Sequence, residues 1–237
     1  MRFTKPLVLL AFAGVSVSAQ PAPRPATPVA VELFTSQGCS SCPPADALLE
    51  ALARQPNVIA ITRPVTYWDR LGWKDTLARE DNTQLQRAYA SKGHGGAGVY
   101  TPQAVVQGVD AAVGSDRAAL ARLISAEKAR PGPGIAASVA ADGGRSVQIS
   151  GAAGVVAAIS ILALKGDVMV RIGNGENGGR SVRYTNVVVS ESVVGQWRGG
   201  AQTIAVPASA FKVSGADRYA IVIQQPGGGR ILAARYI

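Results

Sequence analysis

Val29-Ala30-Val31-Glu32-Leu33-Phe34 leads through Thr35-Ser36-Gln37-Gly38 into Cys39-Ser40-Ser41-Cys42-Pro43-Pro44-Ala45-Asp46. The first six residues are a short apolar run rich in β-branched side chains, bounded by Pro28 and Gln37-Gly38, and read as a strand. From Pro44 to Arg54, Ala47, Leu48, Ala51 and Leu52 recur at helical spacing. Prolines are tolerated in a first helical turn, where the N–H has no partner anyway. The two cysteines therefore fall at a strand-to-helix junction. A helix N-terminus offers unpaired N–H groups and partial positive charge, which favour the reactive thiolate. Cys39 is expected at the exposed end as the attacking thiolate, and Cys42 one turn inside as the resolving thiol.

On either side of this junction the pattern alternates. Val58–Val65 and Gln103–Gln107 read as strands, with a short extra one at Ala111–Val113. Thr76–Ser91 and Ser115–Arg130 read as helices, the second with Ser115 as N-cap and Leu120, Leu123 and Ile124 on one face. The β-α-β-α-β-α order predicts an α/β layer over residues 29–130. Pro131-Gly132-Pro133-Gly134 then marks a boundary. Beyond it the helical spacing vanishes. Eight short apolar runs recur: Ile135–Ala140, Ser146–Ile149, Val155–Leu164, Val168–Ile172, Val182–Ser190, Thr203–Val206, Tyr219–Gln225 and Ile231–Ile237. They predict an all-β, sandwich-like domain over residues 135–237.

The chain has 237 residues, a formal charge of +9, 47% apolar residues and two cysteines. The apolar fraction excludes a disordered chain, and two cysteines exclude a disulfide scaffold and a Cys₄ zinc site. Residues 29–130 are close to neutral, whereas residues 131–237 carry twice as many cations as anions. Those cations are isolated, without the clustering that nucleic-acid binding requires. Arg2 and Lys5 precede the apolar run Leu7–Val17, and Val17-Ser18-Ala19 offers small residues for cleavage. Residues 1–19 are expected to be a signal peptide and residues 20–28 an exposed leader. The mature protein is expected in the periplasm or secreted, without stable membrane insertion; no cofactor is implied.

The junction motif resembles the thioredoxin-like superfamily. That resemblance implies a cis-proline opposite the cysteines, at Thr101-Pro102, with the Thr101 backbone free to pair with an extended peptide. The chain also resembles the exported family called domain of unknown function 1223. The likeness runs from Val31 to Asp46, through Tyr67-Trp68-Asp69, Leu71-Gly72-Trp73-Lys74-Asp75 and Val99-Tyr100-Thr101-Pro102-Gln103. It continues in Gly175-Glu176-Asn177, Gly179-Arg180 and Tyr184-Thr185-Asn186-Val187-Val188. Four positions depart from that family's usual residues: Pro64, Thr66, Leu85 and Asn174. The resemblance implies a fold and a suspected redox chemistry but names no substrate.

The expected activity is thiol–disulfide exchange on exported proteins, with Cys39, Cys42, Thr101, Pro102 and Glu32 as the catalytic set. Glu32, on the strand before the pair, reads either as a buried acid moving protons for Cys42 or as a plain hydrogen-bonded strand acid. Tyr67, Trp68, Trp73 and Tyr100 read as lining a substrate groove, or as packing of an inserted loop. Two other functions fit the residues. One is copper delivery by the cysteines with His94 as a third ligand. The other is an envelope interaction protein with a static disulfide, though so short a loop gains little entropic stabilisation. Glu176, Asn177 and Arg180 read as a turn network, with an inter-domain contact or a ligand site as alternatives.

Overall fold

The computed structural model describes Met1 and residues 27–93, 98–152 and 154–237. The expected signal peptide falls outside the described residues, apart from Met1, as do His94 and most of the leader; Thr27 and Pro28, the leader's described end, are half-buried.

The first strand, β1 (Val29–Thr35), is buried at every position. It lies between β2 (Val58–Pro64), parallel from Val29↔Val58 to Thr35↔Pro64, and β3 (Gln103–Val106), antiparallel from Val31↔Val106 to Phe34↔Gln103. A strand covered on both faces needs a continuous apolar run, which this segment supplies. Side chains alternate between the faces. Val29, Val31 and Leu33 pack against Ala45, Leu48, Leu49 and Leu52 of α1 (Pro43–Ala53). Leu120 and Ile124 of α3 (Arg117–Lys128) complete that core. Ala30 points the other way, into a core with Ile59, Ile61, Leu162, Leu164, Ala220 and Val222. Helix α2 (Glu80–Ser91) starts four residues later than its spacing suggests, and α3 is capped by Asp116, which accepts from Ala119 N, rather than by Ser115.

The second half does not form a separate sandwich, and this corrects the expected fold class. β7 (Ala157–Arg171) and β8 (Ser181–Trp197) form a long antiparallel hairpin. β10 (Arg218–Gln224) adds to β7 and β11 (Ile231–Tyr236) to β10, while β4 (Asp110–Val113) closes the far edge beside β3. The result is one mixed eight-stranded sheet in the order β11-β10-β7-β8-β2-β1-β3-β4. Four of its strands come from each half, so the chain is not a thioredoxin-like α/β layer beside an independent β-sandwich.

The two halves meet where β8 runs parallel to β2 at Thr62↔Val187, with Thr62 Oγ1 donating to Thr185 O at 2.5 Å. Two physical facts explain the misreading. Val155–Leu164 and Val168–Ile172 read as separate strands because Lys165-Gly166-Asp167 breaks the apolar run, yet β7 continues through both, with its register against β8 shifting at Ala163/Leu164. In addition, a strand's own residue pattern carries no record of which edge it will join.

The alternation on β10 shows how the sheet serves two cores at once. Ala220 and Val222 face the interior shared with β1 and β2, while Ile221 and Ile223 face Val147, Ile149 and Val206. Those last three belong to a second sheet, β5 (Gly134–Val139), β6 (Arg145–Ser150) and β9 (Gln202–Val206), in the order β5-β6-β9. β11 returns across the first half: Ile231 N donates to Gln107 O at 2.8 Å, and Ala60 N donates to Tyr236 Oη at 3.0 Å.

Candidate functional site

Cys39 and Cys42 are joined by a disulfide, with their Cα atoms 5.4 Å apart. Helix α1 starts at Pro43, so Cys42 occupies the cap position rather than a place one turn inside. The loop curls through Cys39 N donating to Ser36 O and Cys42 N donating to Cys39 O, both at 3.1 Å, while Gly38 N donates to Ser36 Oγ. Ser40 and Ser41 are exposed. Cys39, expected at the exposed end, is 0% exposed, as is Cys42.

The covering elements come from the other half of the sequence. Between β7 and β8, residues 172–180 form a turn closed by Ile172 N donating to Arg180 O and Gly179 N donating to Ile172 O. Asn177, fully buried, donates from Nδ2 to Gln37 O at 3.0 Å and to Cys39 O at 2.8 Å. Its Oδ1 accepts from Arg180 at 2.9 Å. Glu176 accepts from Ser40 N at 3.0 Å, and the Ser40 hydroxyl first, then this backbone N–H, lower its pKa. The Glu176/Asn177/Arg180 segment is thus a clamp on the cysteine loop. Its signal in the sequence was present but ambiguous: three acceptor-bearing side chains, Asn174, Glu176 and Asn177, in a run otherwise all glycine before Arg180.

Asn177→Ala removes both donors and leaves Arg180 without its acceptor. We expect a loss of about 2 kcal/mol of stability, read from the denaturant midpoint, together with faster alkylation of the reduced cysteines.

The aromatic residues frame the same loop. Trp73 Nε1 donates to Gln37 Oε1 at 2.8 Å, and its ring lies so close to Gly173 that a β-carbon there would sit 2.8 Å away. Trp68 lies against Gly38 and donates from Nε1 to Thr101 Oγ1 at 2.8 Å. The Thr101–Pro102 bond is cis. Pro102 stands beside the first turn of α1: a β-carbon on Gly114 would meet Pro102 Cβ at 3.2 Å and Ala45 Cβ at 3.0 Å. Tyr67 and Tyr100 are half-buried close by, and burial raises both phenols. Gln86 donates to Tyr100 O at 2.7 Å. The structure therefore gathers Cys39, Cys42, Trp68, Trp73, Thr101 and Pro102 around one loop.

Glu32 is not among them. It lies on the β1 face opposite Val31 and Leu33, and therefore opposite α1. Its carboxylate takes Arg63 Nε at 2.6 Å and the Tyr89 hydroxyl, and Arg63 continues to Asn82 at 3.2 Å and Glu191 at 3.0 Å. The whole sheet separates Glu32 from Cys42.

The acid on the cysteine side is Asp46. It is 3% exposed, and neither carboxyl oxygen has a hydrogen-bond partner of good geometry. Burial pushes it up to about 8; the Thr35 hydroxyl beside it lowers it and the charge of Asp75 raises it. Asp75 is itself raised by burial, although it accepts from Gln37 N and Leu77 N, both at 2.8 Å. Tyr184 of β8 faces the two acids and is raised as well, by burial first and then by their charges. Sequence reading passed over Asp46. The available signal was an acid on the buried side of α1, next to Ala45 and one turn from Leu49.

Taken together, these features define a mixed-sheet protein with a clamped Cys-x-x-C disulfide at a helix start and a buried acid behind it. The chain belongs to the family described as protein of unknown function (DUF1223), whose model matches residues 30–224. It is similar to a crystal structure of a protein from Agrobacterium tumefaciens, with 31% identity and a TM-score of 0.78, covering 91% of this chain and 96% of that one. It shares its fold, at 14% identity and a TM-score of 0.59, with HBP35 of Porphyromonas gingivalis, covering 89% of this chain and 74% of that one. No curated protein matches it.

Proposed function

We propose that this protein carries out thiol–disulfide exchange through Cys39 and Cys42, acting on thiols or disulfides of exported proteins. The observation that carries this reading is the position of the disulfide. It closes the loop immediately before α1, where the positive end of the helix dipole favours a thiolate, although Pro43 and Pro44 carry no N–H and Ala45 N and Asp46 N both donate to Cys42 O. A bridge spanning three positions adds little chain-entropy stabilisation, and this loop is already held by Ser36, Asn177 and Asp75. A purely structural role would give the bond little to do. The local strand–Cys-x-x-C–helix unit resembles that of thioredoxin-like proteins, which supports the same chemistry in a different surrounding sheet. The apolar run Leu7–Val17 behind Arg2 and Lys5 supports export to an oxidising compartment, where such exchange operates. Because Cys39 is covered, exchange requires the 172–180 turn to shift, and Trp68 and Trp73 would then border the opened site.

The test is a mixed-disulfide trap. In a Cys42→Ser variant the Cys39 thiolate should attack a disulfide-bonded peptide and hold it as a mixed disulfide while the second peptide sulfur leaves as a thiolate, and wild type should exchange disulfides with peptide dithiols and disulfides catalytically. A Cys39→Ser variant should do neither. Wild type without turnover, combined with no adduct on Cys39, would overturn the proposal.

A further inference from the structure

We infer that Asp46 is the residue that gives a proton to, and takes it from, the sulfur of Cys42; this rests on the exchange chemistry just proposed. The geometry comes first. Asp46 N donates to Cys42 O at 3.1 Å, so the two residues stand one helical turn apart. Residues four apart share a face, and helical side chains lean back towards the N-terminus. Helix geometry therefore places the Asp46 side chain on the face of α1 that carries Cys42. Both groups are shut off from solvent, with exposures of 3% and 0%. A sulfur leaving a disulfide there needs a proton from the protein.

The other acids near the site are already committed. Glu32 is across the sheet on Arg63 and Tyr89; Glu176 is on the surface at Ser40; Asp75 accepts two backbone N–H groups. Asp46 alone of these has no hydrogen-bond partner of good geometry, only the Thr35 hydroxyl beside it, whereas buried carboxyls are ordinarily fully bonded. The groups facing it are Thr35 of β1, Asp75 of the loop before α2 and Tyr184 of β8, with Arg180 acting on Tyr184. Its pKa of about 8 lies close to an ordinary thiol's value of about 8.5, so a proton passes either way at small cost.

The step balances as follows. A substrate thiolate attacks Cys39 Sγ, a new S–S bond forms and the Cys39–Cys42 bond breaks. The electron pair goes to Cys42 Sγ, which takes the Asp46 proton. The second substrate thiol gives its proton to the Asp46 carboxylate, attacks the first substrate sulfur and expels Cys39 as a thiolate at the α1 N-terminus. The substrate dithiol is oxidised by two electrons, and the protein disulfide is reduced to the Cys39 thiolate and the Cys42 thiol. In the reverse sequence the Cys39 thiolate opens a substrate disulfide, Asp46 gives its proton to the substrate sulfur that leaves, and the resulting carboxylate takes the Cys42 proton as Cys42 attacks Cys39 Sγ and releases the second substrate sulfur as a thiolate.

The experiment uses the full oxidised chain and dithiothreitol as the probe, with single-turnover reduction followed by tryptophan fluorescence from about pH 6 to about pH 10. Rates are divided by the thiolate fraction of the probe. For wild type we expect a level rate that falls about tenfold or more as pH passes about 8, because the ionised acid has no proton to give. Asp46→Asn should be slower by a similar factor at neutral pH and show no such fall. A wild-type profile without the fall, or an Asp46→Asn profile identical to wild type, overturns the assignment while leaving exchange intact. A wild-type disulfide that dithiothreitol does not reduce at any pH overturns the exchange reading itself. The wild-type profile needs no variant, so the test survives a failure of Asp46→Asn to fold.

Discussion

Arg63→Met is expected to lower the unfolding free energy by about 3–5 kcal/mol, the range for breaking a buried ion pair from one side. Glu32 and Arg63 are 1% and 2% exposed. Without the guanidinium, the Glu32 carboxylate stays in the interior with only Tyr89 to stabilise it. The effect is not confined to one pair. The backbone ladder joining β2 to β8 is limited to Thr62↔Val187, and Arg63 spans that seam by holding Glu32 on β1 and Glu191 on β8 together. Loss of Arg63 therefore loosens the line along which the two halves of the chain meet. A double variant, Glu32→Leu with Arg63→Met, should recover most of the loss, because no buried charge is then left unpaired. Urea unfolding of the single and double variants checks this. A single-variant change below about 1 kcal/mol, typical of an exposed pair, would contradict the account of the seam.

Asp46→Asn should act in the opposite direction and make the protein more stable. The carboxyl has an ordinary value of 3.8 and is raised to about 8 by burial. Below the ordinary value both folded and unfolded chains hold the proton, and the group costs nothing. Above it the unfolded chain ionises while the fold does not, so stability is lost as pH rises, at about 1.4 kcal/mol per pH unit, until the folded acid ionises near 8. An asparagine never ionises and escapes this loss. At neutral pH the variant should gain on the order of 4 kcal/mol, or about 10 °C in Tm, and the gain should vanish near pH 4. Thermal unfolding across pH measures it. A variant equal to or weaker than wild type at neutral pH would show that Asp46 is engaged in the fold after all. The same substitution should thus stabilise the protein and slow its chemistry, the trade-off expected of a strained functional group.

The parts of the structure legible in the sequence were those set by local pattern. The strand Val29–Phe34, the helix behind the cysteines and the helix ending near Lys128 all follow from apolar spacing and proline placement. Sheet membership was not legible. β2 is buried at every position, β8 has a continuous buried stretch only at Asn186, Val187 and Val188, and neither pattern states that they meet. Lys165-Gly166-Asp167 interrupts the apolar run between Leu164 and Val168, but in β7 the partner strand β8 carries the chain through it. At the site, the motif announced the cysteines and Trp68, Trp73, Thr101 and Pro102. Glu32 was ambiguous, because its face depends on which side of β1 carries α1. Asn177 stands 138 residues from Cys39, and its hydrogen bonds to the loop exist only after the hairpin has folded over it.

If the Cys39–Cys42 bond is made and broken in use, its reduction potential reports it. Equilibration of the full chain in glutathione buffers, with thiols counted after acid quenching and alkylation, gives the value. We expect a potential in the catalytic range, about −120 to −270 mV. A value below about −300 mV, where structural disulfides lie, would contradict it.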